Sequence, residues 1–304
     1  MTNGFDAHAN AMTMSRALDH LVLPTTSLHT ARERLAQLGF TVAPAGHHPF
    51  GTENVCVYLS DGTFIEPLAI GDEAQARSSA DEGNVFVARD RQFRARNGDE
   101  GFSALVLATD DADGDHAAFV RAGISAGKRL DFSRHFTDAS GNTDIASFRL
   151  AFAAEKTAPD AFFFTCQRVN APKVDRSALQ AHENGVRRIV GMLAVSEDPS
   201  ASGKFLSALL GTERTTTSDE QVDFQLSNAV VRCVTPAVYE QVTGQAAPGL
   251  ARIRLAAVIF EVQALAATEA VLRNNAIGHE HRGGRVVVPA AAGQGAVFIF
   301  EESA

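Results

Sequence analysis

The sequence predicts an α+β fold of four β-α-β-β-β modules that pair into two half-open curved sheets. Three observations predict it. A short apolar strand followed by a helix-like stretch and a small closing residue returns four times, the spacing within the copies is constant, and further strand-length apolar runs follow each helix. The copies begin at Leu18, Phe102, Val190 and Leu255 and close at Gly39, Gly123, Gly211 and Ala276, 21 residues further on in every case. A fixed spacing repeated at domain scale marks one duplicated unit.

In the first copy, Leu18 to Leu23 is the opening strand, Thr26 or Ser27 can cap the helix, and Ala31, Leu35 and Leu38 form its buried stripe before Gly39 ends it. Strands are expected over 40–43, 54–59 and 63–69, with Ser60-Asp61-Gly62 as the turn between the last two. The charged stretch 71–101 reads as a linker of loop or helix. The second copy opens at Phe102 and offers 146–153 and 161–167 as its last two strands. In the third copy Ser200 or Ser202 stands near the helix start, with Phe205, Leu206, Leu209 and Leu210 inside and Gly211 at the stop. The fourth copy, from Leu255, is looser, and another linker is expected around 243–249. The resulting organisation is a flexible tail over 1–16, a paired unit over 17–170, a linker over 171–185 and a second paired unit over 186–304. Such units curve, with helices on the convex face and a pocket on the concave one.

A chain of 304 residues with 45% hydrophobic content can bury ample core. The 27 basic and 36 acidic residues leave a net charge of −9, which argues against a nucleic-acid surface and for a small-molecule partner. The basic run from Arg89 to Arg96 reads as a solvated helix face. Three widely spaced cysteines fit neither a disulfide framework nor a zinc knuckle, and no apolar run is long enough to span a bilayer. A cytoplasmic protein is expected.

Strand alternation puts Leu18, His20 and Val22 on one face and Asp19, Leu21 and Leu23 on the other. His20 is the only imidazole in the four opening strands, and Glu66 shares its face with Phe64 and Leu68. Two ionisable groups in two strands of one sheet need each other, a cation or a ligand. The structural alternative is a His20–Glu66 hydrogen bond, or Glu66 accepting from Asn54 or Tyr58. Gln167 and Arg149 would line the opposite wall if they face inward, where Arg149 would fork a substrate carboxylate; outward, it is an exposed strand arginine. Cys166 reads as a small buried hydrophobe, and His279-Glu280-His281 as a solvated turn. Neither a Gly-x-Ser-x-Gly elbow nor a phosphate-binding glycine loop occurs.

The repeat, His20, the stretches His48-Pro49-Phe50-Gly51-Thr52-Glu53-Asn54 and Gly62-Thr63-Phe64-Ile65-Glu66, Phe162 to Gln167, and His182-Glu183-Asn184-Gly185 together resemble the vicinal oxygen chelate superfamily, in its glyoxalase-like branch. That resemblance implies the fold shared by glyoxalase, bleomycin-resistance and dihydroxybiphenyl-dioxygenase proteins. It also implies a divalent metal (Zn, Ni, Mn or Fe) held by the first and last strands of a paired unit. His20 and Glu66 fall on two such positions, while Ala104, Gly191 and Ala256 or Ala257 stand where other copies would supply ligands. Gln167, or His48 or His135 from connecting regions, would complete the set. The implied activity is metal-assisted lyase or isomerase chemistry on a small carbonyl or oxygen-rich substrate, with Glu66 and Arg149 catalytic. The alternatives are a non-catalytic small-molecule binding protein and an extradiol-type ring-cleaving dioxygenase. The second paired unit would be a degenerate copy serving packing or homodimer contacts.

Overall fold

In the computed structural model, residues 15–137, 143–155, 158, 161–172, 174–249 and 252–303 are described; of the expected tail, 1–14 lie outside them. Each copy folds as a strand, a helix and a set of return strands. The first contains β1 (Leu18–Pro24), α1 (Leu28–Gln37), β2 (Ala45–His47), β3 (Thr52–Val55), β4 (Val57–Tyr58) and β5 (Phe64–Ile70). Two helices follow, α2 (Glu73–Asp81) and α3 (Val85–Asn97). The second copy is β6 (Ala104–Ala108), α4 (Ala112–Arg121), β7 (Leu130–Thr137), β8 (Thr143–Ala153) and β9 (Phe162–Asn170). The third is β10 (Val186–Val195), α5 (Gly203–Leu210), β11 (Arg214–Thr217), β12 (Gln221–Gln225) and β13 (Val230–Val234), followed by α6 (Pro236–Thr243). The fourth is β14 (Arg254–Val262), α7 (Leu265–Asn274), β15 (Glu280–Arg282), β16 (Arg285–Val288) and β17 (Val297–Glu302).

The copies pair as expected. One sheet has the order β2-β3-β5-β1-β6-β9-β8-β7 with β4 added on β5, and the other runs β11-β12-β13-β10-β14-β17-β16-β15. In each, the two opening strands meet antiparallel (β1 with β6, β10 with β14) while each lies parallel to the last strand of its own copy. The first sheet curls until its two ends meet. Rings of Phe132 on β7 and of His48 and Phe50 in the β2–β3 turn are 5.7 and 5.2 Å apart, centroid to centroid. A Cβ on Gly46 of β2 would collide with the Arg134 guanidinium, also from β7.

One face of both sheets packs on α1, α4, α5 and α7 in a single continuous core containing Leu21, Leu35, Phe119, Met192, Leu206, Phe260 and Leu272. The other face of the first sheet forms a cup lined by Val22, Leu68, Val106, Leu150, Phe162 and Phe164, with Phe86 and Val87 of α3 packed into it. The matching cup of the second sheet is filled: Leu193, Val195, Ile259 and Ile299 pack against the buried Tyr239 of α6.

Three local differences from the sequence reading have physical causes. Residues 40–43 form no strand because Arg32 donates to the Val42 and Ala43 carbonyls, which a ladder would need; the edge strand comes later, at β2. The run 54–59 breaks at Cys56, whose carbonyl accepts from Ala43 N–H. In β1 the register with β6 shifts between Leu18 and His20. This bulge sends Leu18 into the core with Leu21 and Leu23, opposite His20, and lets Asp19 turn to the cup beside His20.

Candidate active site in the first cup

β1 carries His20 and β5 carries Glu66, and the parallel register sets His20 beside Phe64 and Val22 beside Glu66. Neither ionisable group has more than 6% of its surface exposed. His20 Nδ1 is 2.8 Å from Asp19 Oδ2, and Asp19 in turn accepts from Arg168 of β9 at 2.6 Å. The other ring nitrogen, Nε2, lies 3.4 Å from Glu66 Oε2. On the opposite side of the same carboxylate, His48 Nε2 lies 3.7 Å from Oε1, and His48 Nδ1 is hydrogen-bonded to Thr52 Oγ1 at 2.9 Å. Asn54 also donates to Glu66 Oε1, at 2.5 Å. Each imidazole is therefore tethered through Nδ1 and turns Nε2 toward one carboxylate, at separations wider than a charge-assisted hydrogen bond of about 2.8 Å.

Rings fix these side chains. Phe64 stacks on His20 at 4.3 Å and Phe50 on His48 at 5.0 Å, with Phe164, Phe86 and Phe132 at their edges. Local geometry places His48: Gly51 turns the chain at φ +87° against the α2 start, returning it into β3, so that His48 N–H donates to Thr52 O.

The electrostatics separate the two histidines. Burial opposes charge on His20, but Asp19 and Glu66 overcome it, and its pKa is raised. Burial dominates at His48, lowering its pKa to about 4 despite Glu66. Burial works against ionised Glu66 as well, yet His20, His48 and Asn54 together bring it down to about 2. Near neutrality Glu66 is anionic and His48 neutral, while Asp19 and Glu66 favour the protonated form of His20.

Gln167 does not join them. It lies on the helix-facing side of β9, its amide accepting from Ala112 N–H and donating to Asp110 O at the start of α4. Arg149 likewise faces away from the cup, toward Asp113 of α4 (3.4 Å) and Asp131 (3.8 Å), because the inward positions of β8 are taken by Phe148, Leu150 and Phe152. His135 is exposed on β7, alternate to Phe132 and Arg134. Cys166 is buried in the cup wall, where burial raises its thiol pKa well beyond the usual range. His281 ion-pairs with Glu269 at the surface. Strand alternation also misplaced Asp19, and Arg168 was passed over; the signal for Arg168 was its period-two spacing from Phe164 and Cys166. Among the described residues, no three His, Cys, Asp or Glu side chains are gathered into a formed metal centre. The donor types do suit a divalent ion: two Nδ1-tethered imidazoles and one ionised carboxylate.

Paired β-α-β-β-β modules in a curled sheet are the fold of the vicinal oxygen chelate superfamily. A family model for the glyoxalase-like domain matches residues 18–210, more than half of the chain, and the chain belongs to that family. No curated protein matches it significantly. Among solved structures it is similar to a hypothetical protein from Staphylococcus aureus (TM-score 0.65, 14% identity, covering 95% of this chain and 100% of that one). It is also similar to a mutant 4-hydroxymandelate synthase from Streptomyces coelicolor (0.60, 10%, covering 95% and 93%) and a Mn(II)-bound glyoxalase from Novosphingobium aromaticivorans (0.54, 12%, covering 95% and 83%). At these identities the likeness is one of fold.

Proposed function

We propose that the first cup binds a divalent metal through His20, His48 and Glu66 and carries out lyase or isomerase chemistry on a small carbonyl or oxygen-rich substrate. The observation that supports this reading is the common aim of the two Nε2 atoms at Glu66, each ring held from behind through Nδ1. A bound metal would supply Lewis acidity toward vicinal substrate oxygens. Glu66, kept ionised by its neighbours, accepts a proton from substrate at Oε2, and Asn54 holds the other oxygen in place. Asp19, braced by Arg168, fixes the His20 ring, and the surrounding phenylalanines exclude water.

A second reading, a ring-cleaving dioxygenase using iron, is favoured by the same donor set of two histidines and one carboxylate, since His48 supplies the second imidazole that the strands lack. Metal analysis tests both readings. Protein purified without chelator is expected to hold about one equivalent of Zn, Ni, Mn or Fe, with His20→Ala, His48→Ala and Glu66→Gln each losing most of it. Iron supports the dioxygenase. Sub-stoichiometric metal unchanged by all three substitutions would overturn both readings and leave non-catalytic binding.

A further inference from the structure

The rim of the first cup is cationic, and the cations come from three separate elements. Arg168 leaves β9, grips Asp19 and lies over the Phe64 ring at 5.9 Å. Arg176 lies over the Tyr58 ring at 4.7 Å, and Arg134 of β7 over Phe148 at 6.0 Å. The expected linker 171–185 is what delivers Arg176. It is stitched across β4 by His182 to the Tyr58 carbonyl (2.9 Å), by Gln180 donating to the Leu59 carbonyl (3.0 Å) and by the Thr41 hydroxyl donating to the Ala181 carbonyl (2.5 Å). It therefore forms part of the rim.

Two of these guanidinium groups, those of Arg168 and Arg176, lie over one aromatic strip. Tyr58 and Phe64, paired across β4 and β5, have ring centroids 5.4 Å apart, and the inner face of Phe64 stacks on His20. A Cβ on Gly46 would meet both Arg134 Nη1 and Asn54 Oδ1, and Asn54 holds Glu66, so the Arg134 guanidinium stands at the same cup. Asp19 answers Arg168. Among the described residues Arg134 and Arg176 have no carboxylate partner and rest on rings, an arrangement that leaves the N–H edges of a guanidinium open for a forked bond. On a chain of net charge −9, such a spot is a local attractor for anions.

We propose that Arg134, Arg168 and Arg176 form a receptor for the carboxylate of a flat, ring-bearing substrate whose body lies along Tyr58 and Phe64. This rests on the reading of the cup beneath Phe64 as the reaction site. Substrates with a carboxylate are then preferred over neutral ones of the same shape.

Benzoate and benzamide are the probes, matched in shape and differing in charge. Titrated calorimetrically into the full-length protein at low salt, benzoate binds about tenfold more tightly than benzamide. Arg134→Gln and Arg176→Gln each weaken benzoate several-fold, together abolish the preference, and leave benzamide unchanged. Arg149→Gln, on the helix side, changes neither. Equal binding of the two probes, no detectable benzoate binding, or an equal loss in Arg149→Gln would overturn the proposal. Metal content measured on the same preparations separates this from the reading of the cup: the rim variants retain their metal, and the benzoate preference is read with and without chelator. Failure of the metal assignment would appear in the His20, His48 and Glu66 variants alone.

Discussion

His48 and His20 share a carboxylate yet respond to pH in opposite senses, and the metal-free protein should show it. The His48 pKa falls from about 6.5 unfolded to about 4 folded, so between these values the unfolded chain binds the extra proton and stability is lost as pH drops. For a shift of this size the loss is about 3 kcal/mol. The raised pKa of His20 acts above that window: its contribution is complete below pH 6.5 and is lost as pH rises through the folded value. Glu66 adds a loss only as pH falls from 4.5 toward 2. Urea unfolding with chelator present is expected to give greatest stability near pH 6.5. His48→Gln should flatten the limb between pH 4 and 6.5, and His20→Gln the limb above it; unchanged limbs would show that neither ring is held as described.

At the scale of elements, much of the architecture was legible because it follows periodicity. The four opening strands, the helices behind them and the closing glycines all arise from apolar spacing and the left-handed turn that ends a helix. The charged stretch 71–101 became two helices capped by Asp72 and Asn84. What periodicity could not reveal was set by single long-range bonds, such as Arg32 occupying the Val42 and Ala43 carbonyls, or His182 reaching the Tyr58 carbonyl. The site followed the same division. His20 and Glu66 stood out as charges within apolar strands, whereas the sequence left the faces of Arg149 and Gln167 open and both turn to the helix side, and His48 needed the turn at Gly51 to reach the site. That turn is testable. A Cβ on Gly51 would lie 2.6 Å from Ala76 N and Asp72 O, at a φ of +87° that disfavours side chains. Gly51→Ala should cost about 3 kcal/mol and reduce metal content as well, read by denaturant unfolding and metal analysis.

Over the whole molecule, the two paired units share one core, to which α1 and α4 of the first and α5 and α7 of the second all contribute. Polar contacts join them too: Asn228 bonds both backbone groups of Leu18, and Glu100 accepts from Gly293 N–H. The halves are expected to unfold together. Circular dichroism in urea should show one transition. Leu206→Ala, in the second half, should shift all of it by about 3 kcal/mol, with hydrogen exchange in β1 and β5 accelerating in parallel. Two separable transitions would contradict a shared core. Among the described residues no helix is long and apolar enough to cross a membrane.

The bulge in β1 has a consequence for how the cup can change over time. A regular strand shows the cup every second residue, but here neighbours Asp19 and His20 both reach it, so the acid and the imidazole it orients are encoded as one dipeptide. Substituting either removes one partner. Deleting a single residue upstream would straighten the strand and separate the two in one event. Inserting one into an unbulged sister strand is the corresponding route by which a silent cup could acquire a dyad.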